Sequence, residues 1–341
     1  MKIYLAGLMH SGGRYDPSGY DVAVPNPYIG MSQFYGHDKP TVRRWLKGEI
    51  AIPPIDVAAA TTGGLRYPYL LESYYYCGKD TKFVPAMRAA RASFFLDSGA
   101  FSSFTLDHVS IDIEQYAAYC RDNADVYHMI SNLDEIGAGK EQVSYDNLKR
   151  LEALGVKASP VHHVRDDDRW LVRYMDEGYD PIFIGGMVPE SIPWLRERLD
   201  QIFTRYIMSR GKPRVGLHGF GLSSMDLVLR YPWYSVDATG WVMVSAFGQV
   251  FMDLPGAQGY RDFRLTLSNE SPRAEKLDSH LDTFAPIVRR RIVERFNEFG
   301  YEVDDLKSMY GWRRLWNIEY FRRVMTRPDP VFQGGQQTLF T

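Results

Sequence analysis

The stretch Phe94-Phe95-Leu96-Asp97-Ser98-Gly99-Ala100-Phe101 runs three apolar residues into an aspartate and a Ser-Gly turn. A short apolar run closed by turn residues reads as a buried strand. Its aspartate then sits at the strand's carboxyl end, beside free backbone N–H groups. Burial there can hold or tune a proton. The same aspartate would also serve as the N-cap of a following helix. Working outward, the pattern recurs. Apolar runs cover residues 2–6, 93–96, 126–133, 156–161, 181–184, 214–217 and 233–236. Helical periodicity covers residues 111–121, 142–154, 168–177, 190–206 and 223–230. Connections of this length suit right-handed crossovers between parallel strands.

Polar residues or glycines follow these runs: Asp97, Asp134, His162 with His163, Gly185 with Gly186, His218 and Asp237. In (β/α)-barrels the active site gathers at the carboxyl ends of the strands. The sequence therefore predicts an α/β fold, a (β/α)8 TIM-like barrel with loop or hairpin insertions and a C-terminal helical segment. An open doubly wound sheet competes with it. That fold usually carries a Gly-rich phosphate loop, and residues 7–13 and 216–221 both miss the dinucleotide spacing.

The expected organisation is one catalytic domain over residues 1–327 and a loose tail over 328–341. Residues 10–50 read as a long loop with a short helix near 40–47. Residues 242–270 break the alternation with Pro255, Gly256 and Gly259, which predicts an inserted loop or hairpin. Helices resume near residue 281 and run to about residue 327. The aromatic run Tyr74-Tyr75-Tyr76 reads as helix packing, because consecutive side chains point in different directions around a helix.

Composition excludes some classes. Hydrophobic residues make up 45% and charged residues 24%, the balance of a globular protein. The net charge of −2 gives no global attraction to nucleic acid, so any such contact needs local basic patches. Cys77 and Cys120 stand far apart in no metal spacing, which suits a reducing cytosol. No apolar run nears the ~18 residues of a membrane span. The expected location is the cytoplasm.

A second carboxylate stands in Tyr234-Ser235-Val236-Asp237-Ala238-Thr239-Gly240-Trp241. Small neighbours let such a group approach an electrophilic carbon. Two carboxylates at one barrel mouth can divide glycosyl transfer, one attacking the sugar and one moving protons.

These residues carry a resemblance. Leu96-Asp97-Ser98-Gly99-Ala100-Phe101 resembles the D-S-G-G-F/Y motif of the tRNA-guanine transglycosylase superfamily, and Asn132-Leu133-Asp134-Glu135 resembles its F-D-E segment. Ile184-Gly185-Gly186-Met187 resembles its G-G-L segment, residues 215–221 its M-G-V-G stretch, and Tyr234-Ser235-Val236-Asp237 the strand of the nucleophile. Order and rough spacing match over residues 93–241. Within that superfamily the chain resembles the DNA-modifying branch of phages and bacteria, the DpdA-like DNA 7-deazaguanine transglycosylases.

The resemblance implies that Asp237 is the nucleophile and that Asp97 handles base protons. It implies a base pocket of Ser98, Gly99, Asp134, His162 or His163, Gly185, Gly186 and His218. It also implies two partners: a flipped-out or single-stranded guanosine in DNA, and a free 7-deazaguanine base. The cytoplasm would be that of a bacterial host if a phage encodes the chain. The sequence departs from the tRNA enzymes in lacking C-x-C-x₂-C. Trp316-Asn317 stands where they have His-Asn, so neither their structural zinc nor any other cofactor is expected.

Basic clusters at Arg43, Arg44 and Lys47, at Arg289, Arg290 and Arg291 with Arg295, at Arg313 and Arg314, and at Arg322, Arg323 and Arg327 suit phosphate contacts. Each also reads as a solvated helix face with acidic neighbours. Three other readings stay open. A tRNA transglycosylase would want the missing zinc segment. A nucleoside deoxyribosyltransferase would usually be shorter. A non-catalytic nucleic-acid-binding subunit would not need Asp237.

Overall fold

A computed structural model of the chain describes residues 1–6, 44, 49, 69–81, 83–89, 94–107, 110–188, 190–222, 224–257, 259–268, 270–271, 279–328, 330 and 332. The loop expected over residues 10–50 and the glycines of residues 7–13 lie outside these, Arg44 and Glu49 excepted.

The expected single domain divides into two compact units. The described residues of the first are 1–6, those of 69–238 given above, 328, 330 and 332. Its strands are β1 (Lys2–Leu5), β2 (Leu71–Ser73), β3 (Phe94–Asp97), β4 (Tyr127–Ile130), β5 (Val161–His163), β6 (Ile182–Gly185), β7 (Met208–Ser209), β8 (Lys212–Pro213), β9 (Leu217–Gly219) and β10 (Ser235–Ala238). Five of them form a parallel sheet in the order β1-β10-β9-β6-β5. A second parallel sheet runs β2-β3-β4, and β7 and β8 make a small antiparallel hairpin. Single parallel bridges join Leu5 to Leu70 and Ser131 to Ser159.

Both sheets feed one core. Tyr4, Ala6, Leu71, Phe95, Val161 and Phe183 pack together, from β1 and its end, β2, β3, β5 and β6. Helices cover the connections, as a parallel sheet requires. Ile113–Asp122 is capped by Asp112, which accepts from Gln115 N at 2.9 Å, and Asp168–Asp176 by Asp167, which accepts from Arg169 N at 2.9 Å. Such caps satisfy N–H groups left open by the first helical turn.

Several elements differ from the sequence reading. β2 was not expected, because it is three residues long and holds a buried glutamate, Glu72. β5 begins only at the last residue of the apolar run over 156–161. Hydrophobicity marks what is buried, whereas a strand needs ladder partners, and Pro160 has no N–H to offer. Asp237 lies inside β10, not beyond it. Phe332 stands in the expected loose tail, yet its ring lies 5.8 Å from Phe203 and 5.5 Å from Tyr231. Residues 329, 331 and 333–341 lie outside the described set.

The second unit's described residues are 44, 49 and most of 239–327. The hairpin read from residues 242–270 is present as β11 (Gln249–Gly256) paired antiparallel with β12 (Gly259–Thr266). The helices Gly240–Ala246, Pro286–Glu298, Val303–Ser308 and Tyr310–Met325 accompany it. Phe251, Ile292, Phe296, Trp316 and Tyr320 are almost fully buried, so this unit has a core of its own. Asn317 and Trp316 tie the last helix to β11. Asn317 Oδ1 accepts from Phe251 N at 2.8 Å, and Trp316 Nε1 donates to Phe251 O at 2.6 Å.

Candidate active site

Strand register places the site. Side chains alternate across a sheet, and parallel partners point the same way. Tyr4 pairs with Asp237, Ser235 with His218, His218 with Phe183, Phe183 with Val161, and Gly185 with His163. Tyr4, Val161 and Phe183 belong to the core, so Asp237, His218 and His163 share their face. In the other sheet Phe95 is core, and Asp97, two residues on, shares its face opposite Ser73.

Asp97 is held at its turn. Gly99 N donates to Oδ2 at 3.0 Å, and Ser131 Oγ donates to Oδ1 at 3.3 Å. Ser98 N donates to Ser131 Oγ at 2.7 Å. The free N–H groups expected beside Asp97 are therefore engaged, with Gly99 N bound to Asp97 itself. Gly99 has φ 80°, and a Cβ there would lie 2.3 Å from Ser73 Oγ. The turn thus needs glycine both for its backbone and for its space. Burial first, then the charges of Asp134 and Asp237, push the Asp97 carboxyl up to about 7.

Asp134 follows β4 on a segment pinned to the helix Glu141–Ala153. Asn132 Nδ2 donates to Ser144 O at 2.7 Å, and Asn147 Nδ2 to Leu133 O at 2.9 Å. Asp134 Oδ2 lies 2.8 Å from His163 Nε2. Burial alone would lower His163. The hydrogen bond and charge of Asp134, followed by Asp166 and Glu141, outweigh burial and raise it, which favours an imidazolium–carboxylate pair. Asp166 also accepts from His163 N at 2.9 Å. A Cβ on Gly185 would stand 2.7 Å from His163 Cδ2, so the glycine makes room for this ring. A cleft of about 230 Å³ beside Asp134 is lined by Ser103, Phe104, Leu133 and Glu135 among others.

His162 is one residue off that face, and it is fully buried. Its Nε2 lies 3.6 Å from Asp168, which also receives Arg198 Nη1 at 3.1 Å. Of the two histidines the sequence left open, His163 stands with Asp134 and His162 with the helix Asp168–Asp176.

Asp237 is 5% exposed. Gly221 N donates to its Oδ1 at 2.8 Å, and His218 Nε2 lies 3.4 Å from the same oxygen. His218 is fully buried and lies beneath the carboxylate, in place of the base-edge role expected of it. Glu72, Ser73, Ser131, Asp166 and Ser235 were missed by the sequence reading. Only Ser235, inside the quoted nucleophile strand, carried any local signal.

The basic clusters separate. Arg313 and Arg314 are each 6% exposed, so the expected phosphate contacts do not hold for them. Arg313 donates to Ser245 O at 2.9 Å and Leu306 O at 2.7 Å, and Arg314 lies over the Tyr310 ring at 4.6 Å. Both are drawn inward because helix Tyr310–Met325 is buried on nearly every side. Arg295, Arg323 and Arg327 converge on buried Asp253. Arg289, Arg290 and Arg291 are exposed. Arg289 pairs with Asp282 at 3.0 Å, and Arg291 donates to Pro255 O at 2.6 Å. Arg44 pairs with Glu49 at 3.8 Å, whereas Arg43 and Lys47 lie outside the described residues.

Asp97 carries a testable stability signature. Its raised value means that the native state keeps a proton between about pH 4 and about 7 that the unfolded chain has released. Stability therefore falls as pH rises through that window. Asp97→Asn is expected to exceed wild type at about pH 8 by on the order of 1–2 kcal/mol, and to lose that advantage below about pH 4. Urea unfolding at both pH values measures this. Equal stability at the higher pH would contradict a desolvated Asp97.

The fold and site define a parallel α/β protein with three carboxylates and two histidines at strand carboxyl ends. No family model matches the chain, and no curated protein matches it. Among the described residues no helix is long and apolar enough to cross a membrane, and no cluster of three His, Cys, Asp or Glu could hold a metal ion.

Proposed function

We propose that this chain is a DNA-guanine transglycosylase that exchanges guanine in DNA for a free 7-deazaguanine base through a covalent glycosyl–Asp237 intermediate. The observation that carries this reading is that Asp97 and Asp237 stand over one core: Phe95, two residues before Asp97, packs with Tyr4, the strand partner of Asp237. Two carboxylates from different sheets thus face one space, and the charge of Asp237 helps to raise Asp97. The motif order over residues 93–241 turns that pair toward base exchange in place of generic acid–base work.

The barrel belongs to the same proposal. The bridge at Leu5–Leu70 joins β1 to the edge of β2, and the bridge at Ser131–Ser159 joins the end of β4 to the approach of β5. With these two links, β1 to β6, β9 and β10 would close an eight-stranded parallel ring. The single core shared by both sheets supports that closure.

In the first displacement Asp237 Oδ2 attacks C1′, the C1′–N9 bond breaks, and its electron pair leaves with guanine. Protonated Asp97 supplies the proton that the departing base needs. In the second, N9 of the incoming base loses its proton to the Asp97 carboxylate and attacks C1′. The ester bond to Asp237 breaks, and its electron pair returns to the carboxylate. Two displacements retain configuration, and the proton balance closes on Asp97. A value near 7 suits a group that must both give and take a proton at neutral pH. Asp134 and His163 would grip the base edge. Exposed Arg289, Arg290 and Arg291 offer guanidinium groups to phosphates.

The test is nucleoside mass spectrometry of DNA from cells that express the protein and receive a 7-deazaguanine. A 7-deazaguanine deoxynucleoside is expected in wild-type DNA. Its absence from DNA with insertion into tRNA would overturn the reading.

A further inference from the structure

His218 is fully buried beside the proposed nucleophile, and the exchange chemistry above makes no use of it. Its Nδ1 lies 2.8 Å from Ser235 Oγ. Its Nε2 lies 3.4 Å from Asp237 Oδ1 and has no hydrogen-bond partner among the described residues. The ring cannot turn away, since Phe95, Phe183 and Phe220 surround it with centroids at 4.9, 5.3 and 4.8 Å.

Elementary chemistry then selects one arrangement. Burial lowers His218, with Asp237 offsetting only part, so the imidazole is neutral and carries one N–H. With that hydrogen on Nδ1, the Nε2 lone pair would face the carboxylate. With it on Nε2, Nδ1 accepts from the Ser235 hydroxyl and the N–H lies on the carboxylate side, with Nε2 3.4 Å from Oδ1. The carboxylate thereby selects the Nε2–H tautomer, and the Ser235 hydroxyl, able to donate or accept, holds Nδ1 in place.

We infer that His218, held at Nδ1 by Ser235, is a positioning residue that steadies Asp237 Oδ1 together with the Gly221 N–H and leaves Oδ2 as the attacking oxygen; this rests on the base-exchange reading. Oδ2 receives no hydrogen bond among the described residues, whereas Oδ1 accepts from Gly221 N at 2.8 Å and has His218 Nε2 at 3.4 Å. When the glycosyl ester breaks in the second displacement, charge returns to a carboxylate already facing those donors.

The experiment has two arms. In the first, His218→Phe keeps the ring's shape and removes its donor, and His218→Gln keeps an N–H near Nε2. His218→Phe is expected to lower kcat about 10–100-fold with KM little changed, and His218→Gln to recover much of the loss. A folded His218→Phe protein with wild-type kcat overturns the inference, as does a His218→Gln no better than it. The second arm needs no substrate. Proton–nitrogen correlation spectra of the free protein are expected to show His218 as the Nε2–H tautomer. An Nδ1–H tautomer overturns the inference even where His218→Phe fails to fold. If wild type performs no exchange, base exchange fails as a reading, and the tautomer still decides how Asp237 is held.

Discussion

Asp237→Asn is expected to abolish base exchange, lowering kcat/KM by about 10⁴-fold or more. Exchange without a nucleophile would need the free base to displace guanine in one step, with no intermediate to divide the barrier. The substitution is mild elsewhere. An asparagine carbonyl still accepts from Gly221 N, which donates to Asp237 Oδ1 at 2.8 Å, and the volume is unchanged. The loss should therefore appear in a folded protein. Wild type mixed with a guanine-containing oligonucleotide should form a covalent adduct, visible as a shifted band on a denaturing gel. The variant should form none. An adduct of equal yield in Asp237→Asn would remove Asp237 from its role. Adduct formation in a wild type that then fails to take up a 7-deazaguanine would point to a different acceptor.

The second large effect lies away from this chemistry. Asp253→Ala is expected to destabilise the second unit by about 3–5 kcal/mol. Asp253 on β11 is fully buried. Arg295 Nη2 reaches its Oδ2 at 3.0 Å, Arg323 reaches Oδ1 at 2.9 Å and Oδ2 at 3.1 Å, and Arg327 reaches Oδ2 at 3.4 Å. Asp262 on β12 shares Arg327 at 2.8 Å and accepts from Tyr320 at 2.8 Å. This network pins the hairpin to two helices. Removing its central anion leaves three crowded guanidinium groups with too little compensation. Burial would raise Asp253, but Arg323 and Arg295 hold it below the ordinary carboxylate range. That contribution is present above about pH 4 and is lost as the carboxyl protonates below it. Urea unfolding measures the change, and a loss below about 1 kcal/mol would mean that the arginines find other partners.

The two cases differ in how legible they are. Asp237 announces itself, because an apolar strand leading to an aspartate and small residues is a local pattern. Asp253 does not, since residues 250–254 are all buried and show no alternation. The charges of Arg295, Arg313, Arg314, Arg323 and Arg327 read in sequence like those of Arg289 to Arg291. Packing alone separates them, because whether a helix face meets water depends on what lies against it.

Periodicity and turn chemistry are local, so the sequence by itself determined the parallel α/β class, the hairpin near residue 250, and Asp97 and Asp237 at strand ends. Register and burial are not local. Only the tertiary structure decided that His163, not His162, meets Asp134, because a strand turns successive side chains to opposite faces. It alone decided that Asp97 is pushed up to about 7, because that value comes from burial and from charges 37 and 140 residues away in the chain.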